Sequence, residues 1–151
     1  VASGGALQSA TINNAFTSSL QVTVKDASNT PIAGAAVTFT APGSGGSGAF
    51  AGSASVTINT DVTGVATAPP FIANTVAGSY KVVASTPGPA TTASFSLMNL
   101  PGAPANISAV SGTPQNATIN ALFANQLIAT VSYSGGNTVS GVGVTFADPP
   151  S

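Results

Sequence analysis

Only five side chains in this 151-residue sequence carry a formal charge, and any chemistry has to begin with them: Lys25, Asp26, Asp61, Lys81 and Asp148. Three aspartates raise calcium, held at Asp26 or Asp61 between domains. That ion takes about 6–8 oxygen ligands, usually several of them carboxylates, and these three are scattered along the chain. A turn role suits Asp26 and Asp61 better, because an Asp carboxylate readily receives backbone N–H groups a few residues on. Ser79 and Lys81 lie two apart, on one face of an extended strand, as a Ser–Lys nucleophilic pair would require. The same alternation makes Lys81 an outward, solvated residue. Lys25 or Lys81 could instead join an Asn in an intramolecular isopeptide bond. That reaction wants a buried carboxylic acid beside the pair, and both lysines read as outward. Asn106-Ile-Ser and Asn116-Ala-Thr fit the N-glycosylation triplet, although such triplets arise readily by chance in a chain this rich in Asn and Thr. The many Ser and Thr are also acceptors for O-linked sugar.

What is missing narrows the chemistry further. His, Glu, Arg, Cys and Trp are absent, so the usual acid–base groups are lacking. Zinc, iron–sulfur and copper have no imidazole or thiolate to bind, and disulfides are impossible. Charged residues are 3% of the chain, against roughly a quarter in an average soluble domain. No basic surface exists for nucleic acid, which needs Lys and Arg against its phosphates. The inventory offers no catalytic, cofactor-binding or metal-ligating residue, and the chain does not read as an enzyme. Surface glycans, bound through loops, are a third kind of partner to weigh, but no aromatic platform is in view, with Trp absent and Tyr80 and Tyr133 the only tyrosines.

The elements that must hold these residues are those of a packed fold. Disorder goes with low hydrophobicity and high net charge; here the net charge is −1 and 43% of residues are hydrophobic. No apolar run is long enough for a membrane-spanning helix. The N-terminal VASGGALQSATINN has no basic region followed by an apolar core, so it is not an intact signal peptide. A start at Val1 rather than Met implies a removed leader or an excerpt of a longer protein.

Sliding the sequence against itself by 107 residues reveals a repeat. QSATINNAFTSSLQVTVKDASNTPIAGAAVTFTAP, residues 8–42, falls without a gap on QNATINALFANQLIATVSYSGGNTVSGVGVTFADP, residues 115–149, with 14 of 35 positions identical. The expected organisation is a complete unit at 1–101, a Pro/Gly linker at 102–104, and the N-terminal part of a second unit at 105–151.

Periodicity makes the unit all-β. Leu-Gln-Val-Thr-Val at 20–24 alternates apolar and polar, as a half-buried strand does, and a cluster of turn formers follows at 26–31. Similar strands are expected at 7–12, 35–40, 56–59, 80–85 and 94–98. The segment 65–73 reads as one more strand, interrupted at Pro69-Pro70, and Gly-Ser-Gly-Gly-Ser-Gly at 43–48 reads as a flexible loop. About seven short strands in about 100 residues is the signature of an immunoglobulin-like sandwich. Phe16, Leu20, Val22, Val24, Val37, Phe39, Ile58, Phe71, Val82, Phe95 and Leu97 are expected to fill its core. Gly34, Gly64 and Gly78 sit at strand entries and turns, where positive φ or close approach is expected. Tyr80 is placed for a tyrosine corner, its ring buried and its hydroxyl on a nearby carbonyl.

These blocks resemble the bacterial immunoglobulin-like repeat of the invasin/intimin type (group 1). Asp26, Pro31, Gly34, Val37 and Phe39 fit its first block; Thr60, Asp61, Gly64 and Ala66 fit the second. Gly78, Tyr80, Val82 and Ala84 fit the third, and Phe95, Leu97 and Asn99 the closing F-x-L-x-N. In the second copy Lys25-Asp26 becomes Ser132-Tyr133 and Pro31 becomes Thr138. The resemblance implies a non-catalytic structural repeat, with neighbouring Ig-like repeats as its partners.

Two prolines in Leu100-Pro-Gly-Ala-Pro104 make a short, stiff connection. Tandem sandwiches joined this way form a rod, each adding about 35–45 Å by analogy with similar domains. The expectation is an extracellular stalk or fibre of a bacterial cell-surface adhesin. The alternative is a self-assembling extracellular filament. In that reading Val142, Val144 and Phe146 form an association surface, and a strand from another subunit completes the second unit. A surface so poor in charge favours close association either way.

Overall fold

The computed structural model describes residues 1–88 and 92–148; residues 149–151, the end of the expected second segment, lie outside them. The described regular structure is β throughout, in two compact units, Val1–Pro101 and Gly102–Ser151.

The first unit is a sandwich. One sheet has the order β1 (Ala2–Gly4), β3 (Gln21–Thr23), β7 (Val65–Thr67). The other runs β2 (Leu7–Thr11), β10 (Thr92–Leu100), β9 (Gly78–Ser85), β4 (Ala36–Thr40), β6 (Ser55–Asn59). β10 pairs β2 in parallel and β9 antiparallel, with Leu97 opposite Gln8 and Tyr80 respectively. A short pair, β5 (Gly48–Phe50) with β8 (Phe71–Ala73), stands apart from both sheets. Strict alternation on β10, with Ala93, Phe95, Leu97 and Asn99 inward, shows why period-2 sequence produces a two-layer fold.

Aromatic rings run through the core. Phe71 lies 5.7 Å from Phe16 and 4.5 Å from Phe50, ring centre to ring centre. Phe39 continues the chain at 6.2 Å from Phe50 and 6.0 Å from Phe95. Such stacked and tilted contacts add to the transfer free energy of burying the rings. Of the core set read from the sequence, Val24 and Ile58 are only half-buried, packed against the cluster from its rim; the other nine are buried within it.

Two readings need correction. Residues 65–73 are not one interrupted strand. Pro69-Pro70 breaks the ladder, and the chain changes partner there: β7 pairs β3, whereas β8 pairs β5. The Gly-Ser stretch is also no free loop. Ser47 is buried and donates its hydroxyl to Pro42 O at 2.6 Å, and Gly48 opens β5, which carries Phe50 into the core. Composition reads as a flexible loop, yet Gly45 O, Ser47 N and Ser47 O are bonded by Asn74 and Asn99.

In the second unit, β11 (Pro104–Ser111) pairs antiparallel with β12 (Ile128–Tyr133). Its details recur at the 107-residue offset. Ala109 faces Ala129 and Ser111 faces Ile128, as Ala2 faces Val22 and Gly4 faces Gln21. Gln115 clamps Asn125 through two bonds of 3.0 and 3.1 Å, as Gln8 clamps Ser18 through 2.8 and 3.1 Å. The bridge Ser132↔Thr138 answers Lys25↔Pro31, and Asn120 and Asn13 share a φ of 64°. Residues 141–148, by contrast, form no strand despite the same V-x-F pattern. In the first unit that strand is β4, held between β6 and β9, and neither has a counterpart among residues 102–148.

Candidate association surface

Each residue with chemical potential has a definite place. Asp26 Oδ1 accepts from the N–H groups of Ser28 (2.9 Å) and Thr30 (2.8 Å). Asp61 Oδ1 accepts from the Thr63 hydroxyl at 2.7 Å and from the N–H groups of Thr63 and Val65 at 2.8 and 3.0 Å. Both carboxylates thus close their own turns, and no cluster of metal-ligating residues forms among the described residues. Gly64 follows Asp61 with φ 75°, and a Cβ there would stand 2.7 Å from Val24 O. Glycine is required twice over, by conformation and by space. Gly34 and Gly78 have positive φ, of 73° and 141°, in open surroundings.

Three bonds to ionised oxygen hold the Asp61 carboxyl below the usual carboxylate range, the Thr63 hydroxyl contributing most and burial opposing weakly. A group whose pKa is lower folded than unfolded stabilises the fold above its unfolded value, and that support is lost as pH falls through the folded value. The urea midpoint of the native chain should therefore drop more between about pH 6 and about pH 3 than that of Asp61→Asn. Equal declines in the two proteins would remove Asp61 from the acid response.

Ser79 and Lys81 share the exposed face of β9, and no hydrogen bond joins them among the described residues. Lys25 Nζ donates to the exposed Asn29 Oδ1 at 3.1 Å. Asn106 and Asn116 are exposed, the first on β11.

Tyr80 departs from the corner geometry. Its ring is half-buried, 6.4 Å from Phe71, and its hydroxyl donates to the side-chain Oδ1 of Asn99 at 2.9 Å instead of to a main-chain carbonyl. The acceptor is a buried side chain, Asn99. Burial pushes the Tyr80 phenol well above its ordinary range, so it stays a donor. Asn99 Nδ2 lies 2.8 Å from Ser47 O, 2.9 Å from Asn74 Oδ1 and 3.0 Å from Val76 O. One amide therefore ties β10 to the 42–47 segment and to the chain leaving β8. No buried side-chain polar atom lacks a partner among the described residues.

The surface expected at Val142, Val144 and Phe146 is only partly realised. Val142 and Val144 are half-buried and lie on no sheet edge, since 141–148 is not a strand. Apolar exposure is broader than those three residues. Ile119, Phe123, Leu127 and Phe146 are 90%, 60%, 56% and 56% exposed, whereas their counterparts Ile12, Phe16, Leu20 and Phe39 are 5%, 6%, 0% and 0% exposed. The same sequence positions are buried in one unit and exposed in the other. Leu122 is likewise 96% exposed. The signal for this wider exposure lay in the repeat itself, once it is read position by position.

Comparisons with known proteins agree with this architecture. The crystal structure of invasin, a bacterial integrin-binding protein, is similar over 93% of this chain at 23% identity, with a TM-score of 0.50. The chain spans 27% of the length of that invasin chain, and the likeness bears on the fold alone. No curated protein sequence matches it. The model of the bacterial Ig-like domain (group 1) matches residues 6–97. That span takes in the Asp26 and Asp61 turns, the aromatic core and most of β10, so by sequence and by fold the chain belongs to the bacterial Ig-like domain (group 1) family.

Proposed function

We propose that the chain is a non-catalytic spacer in a surface protein of the adhesin type, with Ig-like units in tandem forming a rod-like extracellular stalk or fibre. Residues 1–101 are one complete unit, 102–104 the connection, and 105–148 of the described chain the opening of the next. One observation carries the reading: sequence, strand register and side-chain clamps of the first unit all recur 107 residues on. Repetition at a fixed interval is what a stalk needs, because each added unit lengthens it without new chemistry. Membership of the bacterial Ig-like domain (group 1) family supports display at a bacterial surface. Its neighbours in the chain are the partners of such a unit.

A second reading, a filament in which strands from another subunit complete the second unit, is favoured by the open apolar face of Ile119, Phe123, Leu127 and Phe146. Exposed cores and unpaired edges of this kind invite strand addition.

Small-angle scattering tests both. Two full repeats arranged as a rod should give a radius of gyration of about 25 Å, against about 17 Å for a compact globule of that length. The compact value would sink the stalk. For the 151-residue chain, particle length growing with concentration would favour the filament, and length independent of concentration would count against it.

A further inference from the structure

β6 ends the larger sheet, in the middle of the complete first unit, and one of its sides has no neighbouring strand among the described residues. Its register with β4 settles which groups face that side. Ala41 N–H donates to Ala54 O at 2.8 Å, and Thr60 N–H donates to Ala35 O at 2.9 Å. Phe39 with Val56 and Val37 with Ile58 are therefore the hydrogen-bonded pairs between these two ends. The alternate residues of β6, Ser55, Thr57 and Asn59, turn their N–H and C=O groups to the open side. No main-chain partner meets them there among the described residues. Only the Ser55 N–H has a contact, with the Ser53 hydroxyl at a long 3.4 Å.

Open edges of this kind are normally blunted by lysine, proline or a bulge. β7, at the end of the smaller sheet, is guarded in that way. Pro69-Pro70 follow it closely, and the Asp61 turn takes both main-chain groups of Val65. β6 has no such guard. Residues 27–60 hold no charge, no proline lies between Pro42 and Pro69, and the register of β6 with β4 is regular.

We propose that β6 is a lateral pairing strand, on which β6 of a second copy of this chain lies antiparallel about a two-fold axis at Thr57. Only one register pairs all three outward residues. Thr57 meets Thr57 of the second copy, Ser55 meets Asn59, and Asn59 meets Ser55, each pair exchanging both of its main-chain bonds. A slip of two residues leaves an outward residue unpaired on each copy. A slip of one sets the outward groups against Val56 and Ile58, whose own groups are already spent on β4. The side chains fit the same register. Val56 and Ile58 pack against the core from its rim and stay half-exposed in the single chain; in the pair Val56 covers Ile58 of the second copy, twice by symmetry. The nearest charge, Asp61, falls opposite Ser53, so no like charges meet. A strand that is its own complement makes an isologous contact, which closes as a dimer. Five residues a side is small for an interface, so the pairing is reversible. It rests on the first unit alone, and in the stalk reading it ties neighbouring rods side by side.

The sequence has no cysteine, so single substitutions in the 151-residue chain read the register directly. Thr57 is exposed, and its hydroxyl contact with Thr38 lies at the surface, so the fold survives its replacement. In a reversible glutathione buffer, Thr57→Cys should yield at least about tenfold more disulfide-linked dimer than Ser96→Cys, because bonded partners in such a ladder stand about 5.5 Å apart, within disulfide reach. Ser96 is exposed on β10, with β9 and β4 between it and β6. Ser55→Cys and Asn59→Cys should each stay near the Ser96→Cys level alone, and an equal mixture of the two should link one to the other. In the unsubstituted chain, hydrogen exchange at the Thr57 and Asn59 amides should slow at least about threefold as protein rises from about 10 μM to about 1 mM. Thr57→Lys, which sets two like charges face to face, should remove that dependence. Equal dimer yields from Thr57→Cys and Ser96→Cys, or concentration-independent exchange at Thr57, would overturn the pairing. Ser55→Cys linking to itself as readily as Thr57→Cys would overturn the register. Adding Phe146→Ala to Thr57→Cys should leave the yield unchanged; a loss of dimer would place the association on the second unit and overturn the β6 contact.

Discussion

Replacing Asn99 by Ala should destabilise the first unit by about 3–4 kcal/mol, because several buried polar groups lose their partner at once. In the native chain the amide accepts from the Tyr80 hydroxyl and lies within 3.0 Å of Ser47 O, Asn74 Oδ1 and Val76 O. Truncation strands the hydroxyl and two main-chain carbonyls in a region closed off by β10 and the 42–47 segment. Each orphaned group costs about 1–3 kcal/mol when water cannot reach it. Tyr80 is only half-buried, so water relieves part of the sum. Tyr80→Phe removes one bond from the rim and should cost only about 1 kcal/mol. Asn99→Asp is the harsher variant, since an acceptor-only carboxylate would face three oxygens. Equilibrium urea unfolding followed by circular dichroism measures all three. A loss below about 1 kcal/mol for Asn99→Ala would show that water or loop movement replaces the amide freely.

The importance of this residue was legible in phase but not in role. Ala93, Phe95, Leu97 and Asn99 occupy one register of β10, so an amide closes an apolar row. Alternation alone marks Asn99 as inward. What it meets comes from residues 47, 74 and 76, distant in sequence, and only the folded chain brings them to one point. The same limit explains Phe50. The Gly-Ser composition before it says flexible loop, yet Asn74 Nδ2 donates to Gly45 O at 2.9 Å and Ser47 N donates to Asn74 Oδ1 at 3.2 Å, which fixes the stretch. Turn chemistry was the easier part. Asp26 and Asp61 act within four residues of themselves, and interactions that local are written in local sequence.

Scarcity of charge acquires a structural meaning from these placements. Both lysines and Asp26 and Asp61 lie on the outside of the first unit, and two of the five charges are spent at the Asp turns in bonds to their own backbone. Little remains to keep neighbouring surfaces apart. The outer face of the larger sheet also shows Leu7, Met98 and Leu100.

Phe39→Ala and Phe146→Ala should differ sharply although the two residues hold the same position in the repeat. Phe39 is fully buried on β4, 6.2 Å from Phe50 and 6.0 Å from Phe95. Its truncation removes a whole ring from a close-packed chain of rings, and a cost of about 3–5 kcal/mol follows from lost transfer free energy plus the cavity left behind. Against a domain stability of about 5–15 kcal/mol, that is enough to unfold a large share of a marginal unit. Phe146 is 56% exposed in a segment with no ladder, so its truncation should stay within about 0.5 kcal/mol. Urea midpoints of the two variants in the 151-residue chain supply the comparison. The contrast also separates the stalk reading from the filament reading proposed above. Adding the rest of the second repeat to the same polypeptide should raise the cost of Phe146→Ala toward that of Phe39→Ala, independently of protein concentration. A filament would raise it in the unextended chain, and only as concentration rises, because the residues burying Phe146 would then come from another molecule. A Phe146→Ala cost that already matches Phe39→Ala in dilute solution of the unextended chain would mean that this face is covered from within, and the open apolar surface would have to be abandoned.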